Sequence, residues 1–292
     1  MKKIDKIVFG DNQFFGINHM SQEKAQQQAE KFFDINNIFR VYENVLESGI
    51  NGIMLNSNDR AREICDYFRE NQDKFDAVNF YPSIPYPHKY ANMIAEKGIL
   101  PTINEALFKG NSSRNILSMI SRGGSALVTK DAMKLMTMLV DVEMKMFHGL
   151  NVKVVFLQNI ITDLMLGYGI KEVFVAYSEH IWATYNAAPG FITQNLPLLY
   201  KRLKEWGIED VVICASFNKI GYLMSPDREA YEKIVEENDS EKYQIMAMST
   251  LASGAIPAQE AYEYINKQNI QSVVFGASSK KNIDQTSSLI KL

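Results

Sequence analysis

The chain has 292 residues, of which 46% are hydrophobic and 22% are charged, and its formal net charge is −3 at pH 7. This profile predicts one large soluble domain over residues 1–292. The small net charge argues against a nucleic-acid partner or an anionic membrane surface, and no apolar stretch is long enough to span a membrane. We therefore expect a cytoplasmic protein whose partner is a small molecule. The sequence leaves open whether the protein forms a homo-oligomer.

Strand-like and helix-like patterns alternate from the first residues onward. Short runs of β-branched and aromatic residues predict strands, and the longer amphipathic runs between them predict helices. The first three strands are predicted at residues 7–10, 50–55 and 77–81, separated by helices over residues 22–47 and 58–70.

The regular alternation stops between residues 82 and 128. This stretch contains prolines and the glycine-rich segments GNSS and RGGS. A connection of this length is uncommon in a compact domain unless it has helices of its own and a function, such as a lid. We therefore predict a partly helical insertion after strand three that covers one end of the domain.

The alternation resumes with a helix over residues 130–147. The further predicted strands lie within residues 152–157, 172–177, 211–215, 246–254 and 273–279, and the helices between them within residues 160–166, 196–206 and 226–237. Eight strands separated by helices predict an α/β fold, a closed (β/α)₈ TIM barrel. An open doubly wound sheet is the alternative, but no GxGxxG motif follows the first strand.

The turn after the eighth predicted strand is a candidate anion site. Backbone amides, two hydroxyls and two lysines would meet there near a helix N-terminus, where the helix dipole attracts negative charge. The alternative is an ordinary helix cap with a solvated lysine pair. The residues of this predicted site are Gly276, Ala277, Ser278, Ser279 and Lys280, with Ser249 from the end of strand seven.

Polar residues that follow the strands are the other candidates, because catalysis in such barrels takes place at the carboxyl ends of the strands. Asp59, Glu179 and His180 are the predicted acid–base residues, since carboxylates and imidazole exchange protons. Glu179 and His180 have a plain alternative as solvent-facing loop residues. The predicted substrate-binding residues are Asp11, Asn12, His19, Asn56, Gln158, Asn218 and Lys219.

Three of these predictions have open alternatives. His19, His180 and Asp11 offer ligand types that suit zinc, but none of the 4 histidines has HxH or HxxxH spacing, and we predict no metal. Lys219 is a cation for phosphate, a base if it is desolvated, or a surface lysine. Asn218 either binds substrate or holds its loop through hydrogen bonds to the backbone.

Short motifs lie at or near the predicted strands: VFG near the first strand, LESGIN at residues 46–51, FN at 217–218, STLASG at 249–254 and GASS at 276–279. Together these motifs resemble those of the aldo/keto reductase superfamily. The resemblance spans most of the chain apart from the insertion. It implies a TIM barrel and a nicotinamide cofactor, NADP, held by Ser178 and the strand-eight turn.

The chain departs from the family at the catalytic positions. Met54 stands where the family has its aspartate, and Asp59 where it has its tyrosine. Residues 81–83 replace the lysine and Gln158 the histidine. Methionine cannot donate a proton, and reduction of a carbonyl needs a positioned donor. The usual catalytic tetrad is therefore predicted to be missing.

These patterns favour an aldo/keto reductase-like barrel that is an enzyme for a small polar or phosphorylated metabolite and does not use the standard chemistry of the family. One alternative is a divergent NADP-dependent oxidoreductase with new proton donors. The other is a non-catalytic barrel that binds a small ligand, with its mouth closed by Tyr81, Tyr86 or the insertion.

Overall fold

Eight parallel strands close into a barrel in chain order, which confirms the predicted (β/α)₈ architecture. The computed structural model describes residues 3–15, 22–58, 60–85 and 130–292, with the backbone alone for residues 22–25, 29 and 130–135. The strands are β1 (Ile7–Phe9), β2 (Gly52–Asn56), β3 (Asn79–Ile84), β4 (Val154–Leu157), β5 (Ala188–Thr193), β6 (Val211–Ser216), β7 (Tyr243–Met248) and β8 (Ser272–Phe275).

Eleven α-helices surround the barrel within the described ranges. The helix predicted over residues 22–47 is in fact two helices, because the Asp34 side chain accepts a hydrogen bond from Asn36 N and caps a new start. The helices are α1 (Gln22–Lys31), α2 (Ile35–Glu47), α3 (Ala61–Glu70), α4 (Gln72–Phe75), α5 (Lys130–Met144), α6 (Asn159–Tyr168), α7 (Lys171–Tyr185), α8 (Leu196–Trp206), α9 (Arg228–Glu237), α10 (Ala258–Ile265) and α11 (Lys280–Leu289).

Side chains that alternate along each strand build two apolar layers. On β2, Ile53 and Leu55 face the helices, whereas Met54 faces the barrel interior. The interior cluster also contains Tyr81 and Phe156 from the neighbouring strands. Because the side-chain period of a strand is two, the residues two positions beyond these interior side chains also point towards the barrel axis. This alternation decides which polar residues reach the mouth.

The third strand is longer than predicted. β3 continues through Pro82 to Ile84, so residues 82–84 belong to the barrel and not to the insertion. Pro82 suggested the end of the strand because proline cannot donate to a ladder hydrogen bond. Residues 86–129, which hold the rest of the predicted insertion with Tyr86, lie outside the described residues.

The predicted fifth strand was wrong. Residues 172–177 (EVFVAY) are rich in strand-forming side chains, but they lie inside α7. The buried residues Val173, Phe174, Tyr177 and Ile181 recur with the helical period. The real strand is β5, whose Pro189-Gly190 pair resembled a connection because both residues are rare in strands.

A polar cluster closes the amino end of the barrel. The Tyr81 hydroxyl donates to Asp5 Oδ2 at 2.6 Å and accepts from Asp5 N at 2.8 Å. Asn79 Nδ2 lies 2.9 Å from the same carboxylate, and Lys153 Nζ lies 3.3 Å from it. Tyr81 therefore reaches away from the mouth and does not plug it. In TIM barrels this end serves stability.

We expect Tyr81→Phe to lower the free energy of unfolding by about 1–2 kcal/mol. The change removes two hydrogen bonds and leaves Asp5 N without its partner. Urea denaturation measures the loss. Tyr168→Phe is the control, because Tyr168 is 50% exposed at the end of α6. Equal stability of the two variants would contradict a supporting role for the amino-end cluster.

Both cysteines, Cys65 and Cys214, are buried and free. Burial raises the pKa of the Cys65 thiol to about 12. Across the described ranges, no helix combines the length and the apolar character needed to cross a membrane.

Candidate functional site

The inward-pointing positions at the carboxyl ends of β2, β3 and β4 are polar. Asn56 lies two residues beyond Met54, Ser83 two beyond Tyr81, and Gln158 two beyond Phe156. The strand register pairs Asn56 directly with Ser83. These three side chains therefore lie in one layer above the apolar interior, at the end where TIM barrels bind their ligands.

Asp11 joins this layer from the turn after β1. Its carboxylate accepts hydrogen bonds from Asn56 N at 2.9 Å and from Asn56 Nδ2 at 2.5 Å. Asn58 Nδ2 lies 3.4 Å from Asp11 Oδ2. Asp11 is 1% exposed. Burial raises its pKa from 3.8 to about 7, against the opposing effect of the hydrogen bonds from Asn56.

Gln158 extends the contacts across the barrel axis. Its Nε2 donates to Asn56 Oδ1 and to Ser83 Oγ, at 2.6 Å in each case. Asn12 is exposed beside this group, with Oδ1 3.4 Å from Asn56 Nδ2. We call the four connected side chains Asp11, Asn56, Gln158 and Ser83 the mouth network.

The structure thus brings together four predicted substrate-binding residues, Asp11, Asn12, Asn56 and Gln158. The sequence reasoning missed Ser83, because the predicted strand ended at Tyr81. The alternation of Tyr81 with Ser83 across Pro82 was the signal that could have found it. The sheet also places Asn56, and not Met54, as the inward residue at the end of β2.

The strand-eight turn keeps part of its predicted arrangement. Ser279 caps α11, with Oγ 3.4 Å from Asn282 N. Lys31 Nζ donates to Ser278 O at 2.8 Å, which brings a cation to the turn. Lys280 Nζ lies 3.5 Å from Glu47 Oε2 and 3.6 Å from Asp284 Oδ1, so its ammonium group is already paired with two carboxylates. Both the anion site and the simple cap agree with this geometry.

Gly276 joins the turn to the rest of the mouth. A Cβ at Gly276 would lie 2.1 Å from Gln13 Oε1, so only glycine allows Gln13 to approach this closely. Gln13 Nε2 in turn donates to Gly10 O at 2.8 Å. Ala277, the next predicted anion-site residue, packs partly against the outer apolar layer. The turns after β1 and β8 therefore lie against each other.

Ser249, at the end of β7, lies near the end of the neighbouring strand. Its hydroxyl is 3.4 Å from the hydroxyl of buried Ser216, the last residue of β6. Its φ of 55° places it in the left-handed region, which is uncommon for a serine. Sequence reasoning found Ser249 and missed Ser216.

Asn218 and Lys219 have structural contacts after β6. The Asn218 side chain donates to Tyr222 O and accepts from Tyr222 N, both at 2.8 Å, and the residue is fully buried. It holds the loop, as in the alternative interpretation. Lys219 Nζ pairs with Glu260 Oε1 at 2.7 Å.

We expect Asn218→Ala to lower the free energy of unfolding by about 1–2 kcal/mol, because two backbone groups of Tyr222 lose their partner. Lys219→Ala should change it by less than about 0.5 kcal/mol, since exposed ion pairs contribute little. Thermal unfolding of the two variants separates them. A neutral Asn218→Ala would argue that this side chain does not hold the loop.

Glu179, His180 and Ser178 do not lie at the mouth, which corrects their predicted position. All three are in α7, and α7 ends at Tyr185 just before β5 begins at Ala188, so its last turns lie towards the amino ends of the strands. His180 Nε2 lies 2.7 Å from Asp141 Oδ1, which ties α7 to α5. The misplaced fifth strand caused this error.

Two further predicted residues, Asp59 and His19, lie outside the described residues. Within the described ranges, no group of three or more His, Cys, Asp or Glu side chains is arranged to hold a metal ion.

The fold is similar to that of solved aldo-keto reductases. An enzyme from a Medee basin deep-sea metagenome library has 10% sequence identity and a TM-score of 0.58, covering 100% of this chain and 87% of its own. A protein from Pseudomonas aeruginosa, provisionally named an aldo-keto reductase, has 11% identity and a TM-score of 0.60, covering 99% and 91%. An aldo-keto reductase from Brucella melitensis has 10% identity and a TM-score of 0.51, covering 98% and 88%.

No protein-family model matches the sequence, and no curated protein is significantly similar to it. At about 10% identity the structural likeness concerns the fold alone. It confirms the (β/α)₈ barrel that the resemblance of the sequence motifs implies.

Proposed function

We propose that this chain is a cytoplasmic enzyme that performs acid–base chemistry on a small polar metabolite at the carboxyl ends of the barrel strands. The supporting observation is Asp11, a carboxyl held among carboxamides with a pKa of about 7. Such a group is part protonated and part ionised at neutral pH, which is the condition for efficient proton transfer in either direction. Asp11 takes the acid–base role that was predicted for Glu179 and His180.

The surrounding side chains would orient the substrate. Asn12 is exposed at the rim, and Gln158 and Ser83 lie across the axis from Asp11. Amides and hydroxyls form hydrogen bonds to hydroxyl and carbonyl groups without adding charge. Fixed donors of this kind stabilise negative charge that develops on a substrate oxygen during proton transfer. The chemistry we propose does not use the family tetrad.

The test begins with a panel of polar metabolites and their phosphate esters, scored by thermal stabilisation of the protein. Compounds that bind are then followed by NMR for turnover. We expect Asp11→Asn to reduce turnover at least about a hundredfold while the compound still binds. Glu179→Gln, on the outer helix α7, is the matched control and should retain activity. Full turnover by Asp11→Asn would refute the role of Asp11, and binding without any turnover would favour a non-catalytic barrel.

A second candidate is a divergent NADP-dependent oxidoreductase, favoured by the strand-eight turn. The backbone amides at the start of α11, the Ser278 and Ser279 residues and the Lys31 cation suit a phosphate group of the cofactor. At the nicotinamide end the fit is poorer, because Ser178 is in α7 and away from the mouth. When bound, the cofactor supplies hydride transfer.

NADPH fluorescence and thermal stabilisation test this second candidate directly. Lys31→Ala should weaken NADPH binding if the strand-eight turn holds the phosphate, and Lys280→Ala should not, because Lys280 pairs with Glu47 and Asp284. Inorganic phosphate as competitor distinguishes a general anion site from a cofactor site. Absence of NADPH binding would exclude the oxidoreductase.

A further inference from the structure

The mouth network forms a continuous series of hydrogen bonds with one direction. Asn56 Nδ2 donates to Asp11 Oδ1 at 2.5 Å, and Gln158 Nε2 donates to Asn56 Oδ1 at 2.6 Å. Gln158 Nε2 also donates to Ser83 Oγ at 2.6 Å. Asn56 thus accepts on one side and donates on the other, whereas Gln158 donates in both of its contacts.

The carboxylate of Asp11 sets this direction. An ionised carboxyl only accepts hydrogen bonds, so Asn56 must turn its NH₂ group towards Asp11. The Asn56 oxygen then faces Gln158, which must donate in turn. With both Gln158 hydrogens engaged, its oxygen is left over at the far end. Ser83 Oγ already accepts from Gln158, so its own hydrogen is left to donate.

The described residues leave this far end of the network without a protein partner. No described residue donates a hydrogen bond to Gln158 Oε1. Among the described side chains, several buried polar atoms lack a hydrogen-bond partner, and Gln158 Oε1 does not belong to that group. Gln158 keeps 7% of its surface exposed. One acceptor, Gln158 Oε1, therefore stands beside one donor, the Ser83 hydroxyl, in the mouth.

We propose that Gln158 and Ser83 bind an uncharged carboxamide group, and that the ionisation of Asp11 controls this site through Asn56. The ligand N–H donates to Gln158 Oε1, and the ligand carbonyl accepts from the Ser83 hydroxyl. A carboxylate would place an acceptor against Gln158 Oε1, and an ammonium group has no acceptor for Ser83. The site concerns binding at the mouth and rests on the proposed function only in sharing Asp11.

Protonation of Asp11 reverses the direction of the network. A protonated carboxyl donates, so Asn56 turns its oxygen towards Asp11 and its NH₂ towards Gln158. Gln158 then turns its oxygen inward, where it accepts from Asn56 and Ser83, and presents NH₂ at the mouth. The acceptor and the free hydroxyl both disappear. A ligand carboxamide loses its two complementary contacts.

Among the described residues, the groups that face Asp11 stay uncharged while it titrates. Burial raises the pKa of Asp11 to about 7. Tyr42 faces it from α2, and burial keeps the pKa of that hydroxyl far above its usual range. Cys65 on α3 interacts electrostatically with Tyr42, and burial raises the pKa of its thiol to about 12. From β2, Asn56 and Asn58 contribute only uncharged amides.

NMR of the full-length protein with acetamide as probe tests the proposal. At pH 8.5 acetamide should shift the side-chain NH₂ resonances of Gln158, and acetate should not. At pH 5.5 acetamide binding should weaken about fivefold or more, as for loss of a hydrogen bond. The Gln271 side-chain amide is the internal control and should not respond. It accepts a hydrogen bond from Ile245 N and donates one to Asn269 Oδ1, outside the mouth.

Two measurements distinguish the control by Asp11 through Asn56 from binding at Gln158 and Ser83. Without ligand, the Gln158 resonances should follow the titration of Asp11, and Asn56→Ala should abolish this response while Asp11 still titrates. In Asp11→Asn, acetamide binding should be weak and independent of pH. Equal acetamide affinity at both pH values in the unmodified protein, or equal binding of acetate, would overturn the proposal. Acetamide binding with no metabolite turnover would instead overturn only the proposed enzymatic function.

Discussion

Asp11→Asn should make the protein more stable at pH 8, by up to about 4 kcal/mol. The folded protein holds Asp11 with a pKa of about 7, whereas its ordinary value is 3.8. The difference of about 3 units corresponds to about 4 kcal/mol at 1.36 kcal/mol for each unit. This is an upper limit, because asparagine loses the charge-assisted contacts with Asn56.

The sign follows from proton linkage. Between about pH 4 and pH 7 the folded state holds a proton on Asp11 that the unfolded chain has released. The free energy of unfolding therefore falls as the pH rises through this window. The stabilising contribution of Asp11 to the free energy of unfolding is fully present below about pH 4 and fully lost above about pH 7. Asparagine does not titrate, so Asp11→Asn should lack this decline.

Urea denaturation at pH 5 and pH 8 measures both effects. Asp73→Asn is the matched control for the change of aspartate to asparagine, because Asp73 is an exposed aspartate in α4. If Asp11→Asn showed the same decline between pH 5 and pH 8 as the unmodified protein, Asp11 would not be the group responsible.

A buried carboxyl that weakens the fold at neutral pH has a plain functional interpretation. Residues kept for activity often lower stability, and their removal raises it. The combination expected for Asp11→Asn is therefore higher stability with lost turnover. A purely structural Asp11 would instead give a variant that is less stable at every pH, since its contacts with Asn56 would be lost without any gain.

The sequence pattern was sufficient for the barrel and for part of its mouth. Apolar runs such as residues 211–215 and 273–275 are strands because buried parallel strands need continuous hydrophobic residues. Once the strands are known, the carboxyl-end rule selects Asp11, Asn56 and Gln158 without any coordinates. The structure then adds their mutual hydrogen bonds.

The misplaced fifth strand shows where local pattern fails. Residues 172–177 favour a strand by composition, and only their packing in α7 shows the helical period. The mouth network was beyond local reasoning for a different reason. Asn56 and Gln158 are 102 residues apart in sequence, and the direction of their hydrogen bond depends on Asp11. Such contacts arise from closure of the barrel, which no short segment encodes.

Gly190→Ala should destabilise the protein by about 3 kcal/mol, because the barrel interior has no space for one more methyl group. An added Cβ would lie 2.4 Å from Phe156 Cδ1 and 2.8 Å from Val154 Cγ1. Both neighbours belong to β4, whose register pairs Phe156 with Gly190. Glycine is therefore required within β5 by the side chains of the adjacent strand, although it is otherwise unfavourable in strands.

Gly167→Ala in α6 is the matched control for Gly190→Ala. Apart from its chain neighbours and the backbone of α6, no atom of the described residues lies within 4 Å of its added Cβ, and alanine favours a helix over glycine by up to about 1 kcal/mol. We expect this variant to be equally or more stable in urea denaturation. Combining Gly190→Ala with Phe156→Ala should cancel part of the loss, because contacting residues are not additive. Full additivity would show that Phe156 is not the obstacle.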